Sequence, residues 1–524
     1  MDKPSRYDVI IIGSGAGGAT TAWRLAATGK RVLVLERGDY LPREAENWSS
    51  DAVFVRNRYK ASEKWLDRRG RAFMPATHYC VGGNTKVYGA ALFRLRERDF
   101  RETQHKDGLS PAWPIGYADL APYYLAAERL YQVHGQRGSD PTEPPCDSEY
   151  DHPPIAHEPV IAELFENLKR VGKQPFPLPL ALRLDESRPQ TSPCIKCATC
   201  DGFPCLLHAK ADAEVICMRP ALDSGNVTLR TGRFVERLET SASGREVTAV
   251  HARAGAELET YTADIVVVAG GAINSAALLL RSANARHPHG LANASGVVGR
   301  HYMCHVNCAV VALMRQANPT RFQKTFGLND FYNANGASNP PLGHIQMLGK
   351  LDGSQLTPQT PFPVPRRLLD TFAHHTIDFW LISEDLPDPG NRVTLDAKGT
   401  IQLSYRPNNL AAHGELRRRF QQTLNDASHA MAVLPERAYL GQRIPLSGVA
   451  HQCGTVRFGR DPASSALDLN CRAHDADNLY VVDSAFFPSS GAVNPTLTIV
   501  ANALRVGDVI AERLAWSRKS ARRA

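Results

Sequence analysis

The sequence predicts an α/β nucleotide-binding domain joined to an α+β domain built on a large antiparallel sheet. Three observations carry this. The chain opens with a β-branched apolar run, Tyr7–Ile12, which leads through Gly13-Ser14-Gly15-Ala16-Gly17-Gly18 into a helical stretch and a second apolar run ending at Glu36. A second strand–glycine–helix passage stands at Asp264–Leu280, and an apolar strand returns at Asn478–Asp483 before a long amphipathic helix. Between them, 309–313, 344–348 and 376–381 show the alternation of strands with one buried face.

Strand, G-x-G-x-x-G, helix, strand and acid, in that order, form the pattern of a dinucleotide-binding βαβ unit. Gly13 allows the tight turn, Gly15 lets a pyrophosphate approach the backbone, and Gly18 lets helix and strand pack closely. The N-terminus of the helix offers N–H groups and a positive dipole end to the phosphates. Glu36 stands where a carboxylate would hold ribose hydroxyls. Taken alone, the unit admits NAD, NADP or FAD, and a glycine-rich turn also occurs in other α/β proteins.

At 524 residues, 43% of them hydrophobic, the chain is long enough for two or three domains. Part of its net charge of +8 sits in the basic tail, 516–524, which reads as a solvated terminus and not as a nucleic-acid site. No apolar run reaches the length of a membrane span, and no signal-peptide core precedes the first strand. A cytoplasmic protein is expected, with no nucleic-acid partner. Its eleven cysteines are then expected as thiols or metal ligands and not as disulfides.

The remaining elements follow in order. Residues 39–75 are irregular and charged, suited to wrapping the nucleotide domain. Gly82-Gly83, within Cys80–Gly89, suit backbone packed closely on a ligand. Tyr117–Tyr131 reads as a surface helix, and the Pro-rich excursion 135–193 carries another near Ile161–Val171. Strands are expected at 227–230, 234–238, 247–254, 257–262 and 264–269. Residues 300–445 are expected to form a sheet packed on one face and open on the other, with Arg392–Leu395 and Ile401–Leu403 as shorter members. The Pro-rich loop Leu356–Arg367 reads equally as a lid or as plain surface. Pro495 is well placed near the start of the Asn494–Leu514 helix.

Several separate segments, in one order along nearly the whole chain, resemble the glucose–methanol–choline (GMC) oxidoreductases, a family of FAD enzymes. They are Gly13–Gly18 with Glu36-Arg37-Gly38, Val81-Gly82-Gly83-Asn84-Thr85, and Ala269-Gly270-Gly271-Ala272-Ile273-Asn274-Ser275. At the C-terminal end they are His451-Gln452-Cys453-Gly454-Thr455, Asn478–Ser484 and Asn494-Pro495-Thr496-Leu497-Thr498. Gly83–Phe100 with Trp113-Pro114 is similar to the sugar-oxidising members, pyranose oxidases and amino-sugar oxidases. The resemblance implies the GMC fold: a discontinuous FAD-binding Rossmann-like domain (1–95, 206–300 and 446–515) and a substrate-binding or cap domain (96–205 and 301–445).

The resemblance also implies the chemistry: oxidation of an alcohol, of a sugar, glycoside or polyol, by proton abstraction and hydride transfer to flavin N5. His451 matches the family's catalytic histidine, and a neutral imidazole suits general-base work near neutral pH. Asn494 matches the second catalytic position, although asparagine is also a good helix N-cap. Gly13, Gly15, Ala16, Gly17, Gly18, Glu36, Arg37, Gly82, Gly83, Asn84, Val87, Tyr88, Val235, Ala269, Gly270, Asp483, Ser484, Pro495 and Thr496 are the implied cofactor residues, with Asn494 shared. Val235 reads equally as a strand-core valine, and Tyr88 as a packed aromatic. Lys86-Val87-Tyr88 stands where covalently flavinylated relatives carry a histidine, so non-covalent FAD is expected.

Two features read from the residues complete the set. Gln346, Asp378 and Trp380 lie on predicted strands and suit either sugar contact or sheet core. Cys194, Cys197, Cys200 and Cys205 have a spacing that suits an iron–sulfur cluster or zinc, and equally a reduced loop or one local disulfide. The electron acceptor is open between oxygen, a quinone and a protein. Two other functions stay open: a lyase of the same fold with structural FAD, and an electron-transfer flavoprotein with a cysteine-bound cluster.

Overall fold

The strand Arg6–Ile12 lies inside a seven-stranded sheet, between Val32–Leu35 and Glu257–Val268. The computed structural model describes residues 6–333, 340–357, 363–427, 431–433 and 446–521. Val227–Arg230 pairs outside Val32–Leu35, and Leu479–Val481 pairs with Glu257–Val268; all of these ladders are parallel. Parallel strands are covered on both faces, so Val9–Ile11, Val32–Val34 and Val266–Val268 are continuous apolar runs and fully buried. Helices Ala16–Ala26 and Thr496–Ala521 pack on each other. Apolar residues of both, with those of helix Ala272–Arg281, join the strands in one core.

The sequence reading divides 257–269 into two strands. The structure has one strand, Glu257–Val268, shared by two pairings. Its first half pairs antiparallel with Val247–Ala254, which in turn pairs with Phe234–Thr240. Its second half turns into the parallel sheet at Thr262. The strand runs through Ala263 and Asp264 without ending.

The second sheet has six strands, in the order Met431–Val433, Val306–Met314, Thr376–Ser383, His344–Met347, Phe326–Leu328 and Pro175–Pro177, all antiparallel. Ile161, Leu164 and Leu168 of helix Pro159–Arg170 pack on one face, as do Leu416, Phe420 and Leu424 of helix Leu410–Ala427. The expected open face is corrected, because Val306–Ala312 are buried without interruption. On the opposite face Val311 packs with Leu356, Leu369 and Ala373, and Trp380 meets His451 of the C-terminal segment. Arg392–Leu395 and Ile401–Ser404 do not belong to this sheet. They pair with each other, and Ile401–Ser404 pairs with Trp65–Asp67 of the 39–75 segment, so they tie the two halves of the chain. Among the described residues, no helix is long and apolar enough to cross a membrane.

Candidate active site

One cavity of about 550 Å³ runs from the first glycine turn to the C-terminal segment. That volume lies within the roughly 300–1,000 Å³ of ligand sites. Its walls come from the ends of the parallel strands and their turns (Gly13–Gly17, Glu36, Arg37, Ala269–Ser275), from Gly83, Asn84, Thr85, Val87 and Tyr88, and from His451, Asp483, Ser484 and Asn494–Thr496.

At its nucleotide end the backbone makes the site. Gly13 has φ +101°, and a Cβ there would come within 2.4 Å of the Ala269 carbonyl oxygen. Gly15 is the reverse: a Cβ there would meet no atom within 4 Å, because it would project into the cavity. Helix Ala16–Ala26 begins at Gly15 with no side-chain cap and no acid in its first turn. An uncapped N-terminus aimed at open space attracts an anion. Glu36 is buried behind this turn. Its Oε2 accepts from Ser14 N (3.0 Å) and Ser14 Oγ (2.6 Å), and its Oε1 from Gly38 N (2.9 Å). Burial raises its carboxyl above the ordinary value against the pull of these donors. Arg37 stacks over Tyr79 and Phe234, 3.7 and 4.4 Å from the ring centroids, and Val235 completes this wall.

Asp483 ties its own segment to the turn at Gly271–Ser275. Its Oδ2 accepts from Gly271 N (2.9 Å) and from the Ser275 hydroxyl, and its Oδ1 from Ala485 N (2.9 Å). Ser484 Oγ donates to the Gln452 carbonyl at 2.5 Å, which fixes the residue after His451. Asn84 Oδ1 accepts from His78 N (2.9 Å), and the Tyr88 hydroxyl donates to the Ala211 carbonyl (2.5 Å), leaving its ring in the wall. Lys86 turns away into a buried pairing with Asp212 (3.0 Å) and Glu214 (2.5 Å).

At the other end, His451 is partly open to the cavity and enclosed elsewhere. Its Nδ1 lies 3.0 Å from His305 Nδ1, and its ring lies against Trp380 with centroids 5.0 Å apart. Enclosure, then the nearby His305 and Lys324, hold its imidazole well below the usual histidine value, so the ring is neutral at pH 7. The last helix begins at Thr496, so Asn494 precedes the cap position and is not the N-cap that its residue type suggests. Its Oδ1 is buried without a hydrogen-bond partner, as is Trp380 Nε1, and both residues line the cavity. The arrangement can remove a proton from a hydroxyl group and hold that group between an acceptor and a donor.

Not every expected site residue reaches the cavity wall. Gly18 lies behind the turn, against the Gly13 carbonyl, and Gly82 lies against Lys86 and Glu214. Gln346 and Asp378 are buried in the six-stranded sheet and do not line the cavity. Asp378 Oδ2 accepts from Gln323 Nε2 (3.0 Å) and Leu351 N (3.2 Å), so it serves the sheet's own polar interior. Part of the Leu356–Arg367 loop lies outside the described residues; Leu351 and Gln355, just before it, line the cavity. Cys194, Cys197, Cys200 and Cys205 surround a separate cavity of about 20 Å³. No disulfide joins them, and burial pushes the Cys194 and Cys200 thiols up to about 11 and about 12. Among the described residues, no three ligand-type side chains are arranged to hold a metal ion.

Sequence reasoning missed His305, Tyr79 and Arg281. Arg281 and Tyr79 line the nucleotide end, and no motif marks them. His305 meets His451 because Met303–Cys304 pairs antiparallel with Gln452–Cys453, which carries the next residues into register.

Two family models described as GMC oxidoreductase match residues 179–307 and 387–503, and one described as FAD dependent oxidoreductase matches 8–138. The 6'''-hydroxyparomomycin C oxidase of Streptomyces lividus is 34% identical, over 98% of this chain and 92% of that protein. The chain belongs to the GMC oxidoreductase family. This GMC oxidoreductase is also 33% identical to the paromamine 6'-oxidase of Streptomyces fradiae, over 97% of this chain and 92% of that one. Its fold is shared with the crystal structure of pyridoxine 4-oxidase from Mesorbium loti, at a TM-score of 0.64 and 18% identity, over 96% of this chain and 99% of that one. It is an FAD-dependent enzyme that oxidises alcohol groups. The residues present fit FAD: the open cradle at Gly15 and the uncapped helix suit its phosphates, and one continuous cavity joins them to His451.

Proposed function

We propose that the enzyme oxidises a hydroxyl group of a sugar, glycoside or polyol, with His451 as the general base and Asn494 holding the hydroxyl beside it. Gly13–Gly17 and Glu36 would hold the adenosine diphosphate end of FAD, with Gly18 packed behind the turn. Asp483, Ser484, Pro495, Thr496 and the Gly83–Tyr88 segment would frame the rest, in a domain made of 1–95, 206–300 and 446–515. When bound, FAD supplies the acceptor for the hydride that leaves the carbinol carbon. His451 takes the hydroxyl proton, and Trp380 walls the substrate against the base.

The observation that carries this reading is that a neutral His451, an unpartnered Asn494 carbonyl and an unpartnered Trp380 N–H share one cavity with the dinucleotide cradle. A substrate hydroxyl in this cavity can donate its hydrogen to the His451 ring. The similarity to proteins named 6'''-hydroxyparomomycin C oxidase and paromamine 6'-oxidase supports the sugar class. FAD would be held without a covalent bond, since Lys86 is engaged with Asp212 and Glu214. The enzyme should be mixed anaerobically with a panel of polyols, glycosides and amino-sugar glycosides. Bleaching of the visible flavin band supports the proposal. A flavin that no member reduces would overturn it. Oxygen uptake with the reducing substrate then separates an oxidase from an enzyme that needs another acceptor.

A further inference from the structure

His305 is not part of the cavity wall; it stands behind His451, almost fully buried. Its ring meets the His451 ring edge-on, with centroids 5.0 Å apart and an interplanar angle of 86°. The two Nδ1 atoms are 3.0 Å apart, so one carries a hydrogen and the other presents a lone pair. The other nitrogen of His305, Nε2, lies 3.5 Å from the Ser490 carbonyl oxygen, which can only accept.

These contacts determine the proton positions in sequence. Facing a carbonyl, His305 Nε2 must carry the hydrogen. Burial holds the His305 imidazole down to about 4, so it has one hydrogen at neutral pH and its Nδ1 is bare. The partner nitrogen at 3.0 Å must then donate, which puts the hydrogen of His451 on Nδ1. A neutral His451 has no second hydrogen, and its Nε2 is left with a lone pair. We propose that His305 is a positioning residue that holds His451 in the tautomer whose Nε2 is bare and competent to take the substrate proton. The proton leaves the substrate oxygen and bonds to His451 Nε2, and the resulting imidazolium keeps its Nδ1–H on His305. The chain from Ser490 to His305 to His451 thus does for this base what a buried carboxylate does for the histidine of a Ser-His-Asp triad, with a neutral acceptor in place of a charged one.

The proposal rests on His451 being the base, but its first test needs no turnover. In FAD-bound enzyme labelled with ¹⁵N-histidine, solid-state ¹⁵N NMR distinguishes protonated from bare ring nitrogens, and the His451→Ala spectrum identifies the signals of His451. The expected result is a protonated Nδ1 and a bare Nε2 on His451. A protonated Nε2 would overturn the proposal, whether or not any alcohol reduces the flavin. The second test is anaerobic flavin reduction. Loss of a triad's tautomer-fixing carboxylate costs about 10⁴-fold, and loss of a neutral acceptor should cost less, about 10²-fold. His305→Ala should slow reduction by that amount at unchanged substrate Kd, and should move the His451 signals towards the other tautomer. His305→Asn, whose amide oxygen can accept from Nδ1–H, should restore most of the rate. Reduction by His305→Ala at the wild-type rate, or a His305→Asn no better than His305→Ala, would also overturn it. If His305→Ala does not fold, the wild-type spectrum still decides.

Discussion

Replacing Gly15 by valine separates the cofactor cradle from the fold that carries it. Gly15 lies at φ −72° and ψ −165°, an extended conformation open to any L-residue. A Cβ there meets nothing within 4 Å. The apoprotein should therefore keep its stability to within about 1 kcal/mol, since losing a glycine's unfolded-state freedom is worth only about 0.4–1 kcal/mol in the other direction. The two branches of valine would occupy the space in front of the uncapped helix N-terminus, which lines the cavity. Losing two charge-assisted hydrogen bonds of about 1.5–3 kcal/mol each removes roughly 3–6 kcal/mol of binding. At 1.4 kcal/mol per decade, that is an affinity for FAD lower by about 10²–10⁴-fold. Flavin fluorescence titration of the apoprotein gives the affinity, and urea unfolding gives the stability. A Gly15→Val protein that binds FAD like wild type would refute the assignment of the cradle. One that fails to fold would refute the geometry. Gly13→Ala is the contrasting control: its Cβ would meet the Ala269 carbonyl oxygen at 2.4 Å in a left-handed conformation, so the damage should fall on folding.

Three further expectations concern the base, a buried ion cluster and pH. His451→Ala should retain FAD and reduce it about 10²–10⁴-fold more slowly in anaerobic stopped flow, the range of a general base; an unchanged rate removes His451 from that role. Lys86→Met should lower the unfolding free energy by about 3–5 kcal/mol in urea titrations, because it strands the buried Asp212 carboxylate and half of the Glu214 pairing; a neutral effect would mean that the pairing contributes nothing net. Burial holds His305 down to about 4 and His344 to about 3, below the unfolded value. The unfolded chain then takes up protons first, so stability is full above about pH 6.5 and is lost as pH falls towards 4. Between about pH 7 and pH 5 this should cost about 2 kcal/mol for each of the two histidines. Equal urea midpoints at both pH values would contradict it.

The elements legible in the sequence were those whose cause is local. Gly13–Gly18 can be read because the turn needs glycine for its own backbone, and the strands within 7–12, 31–36 and 478–483, to within a residue or two at their ends, because each carries a continuous buried apolar run. What could not be read depends on pairing across long stretches of chain. Ile401–Ser404 looks like any half-buried strand, and nothing in it states that its neighbour is Trp65–Asp67. Gln346 and Trp380 are directly opposite each other in adjacent strands, yet one serves the sheet interior and the other the cavity wall.

His305 is the sharpest case, and it shows how the two sheets depend on each other. It lies between Met303–Cys304, which pairs with the segment after His451, and Val306–Met314, which pairs with the strand carrying Trp380. The six-stranded sheet and the C-terminal segment are therefore joined through the residues that flank His451. A change that loosens Val306–Met314 from Thr376–Ser383 should shift Trp380 and His305 together, and both contact the His451 ring. The proposed base, His451, is reached through the C-terminal segment, which the motif His451–Thr455 marks. The proton position proposed for it and its aromatic wall depend on His305 and Trp380, which no sequence motif marks.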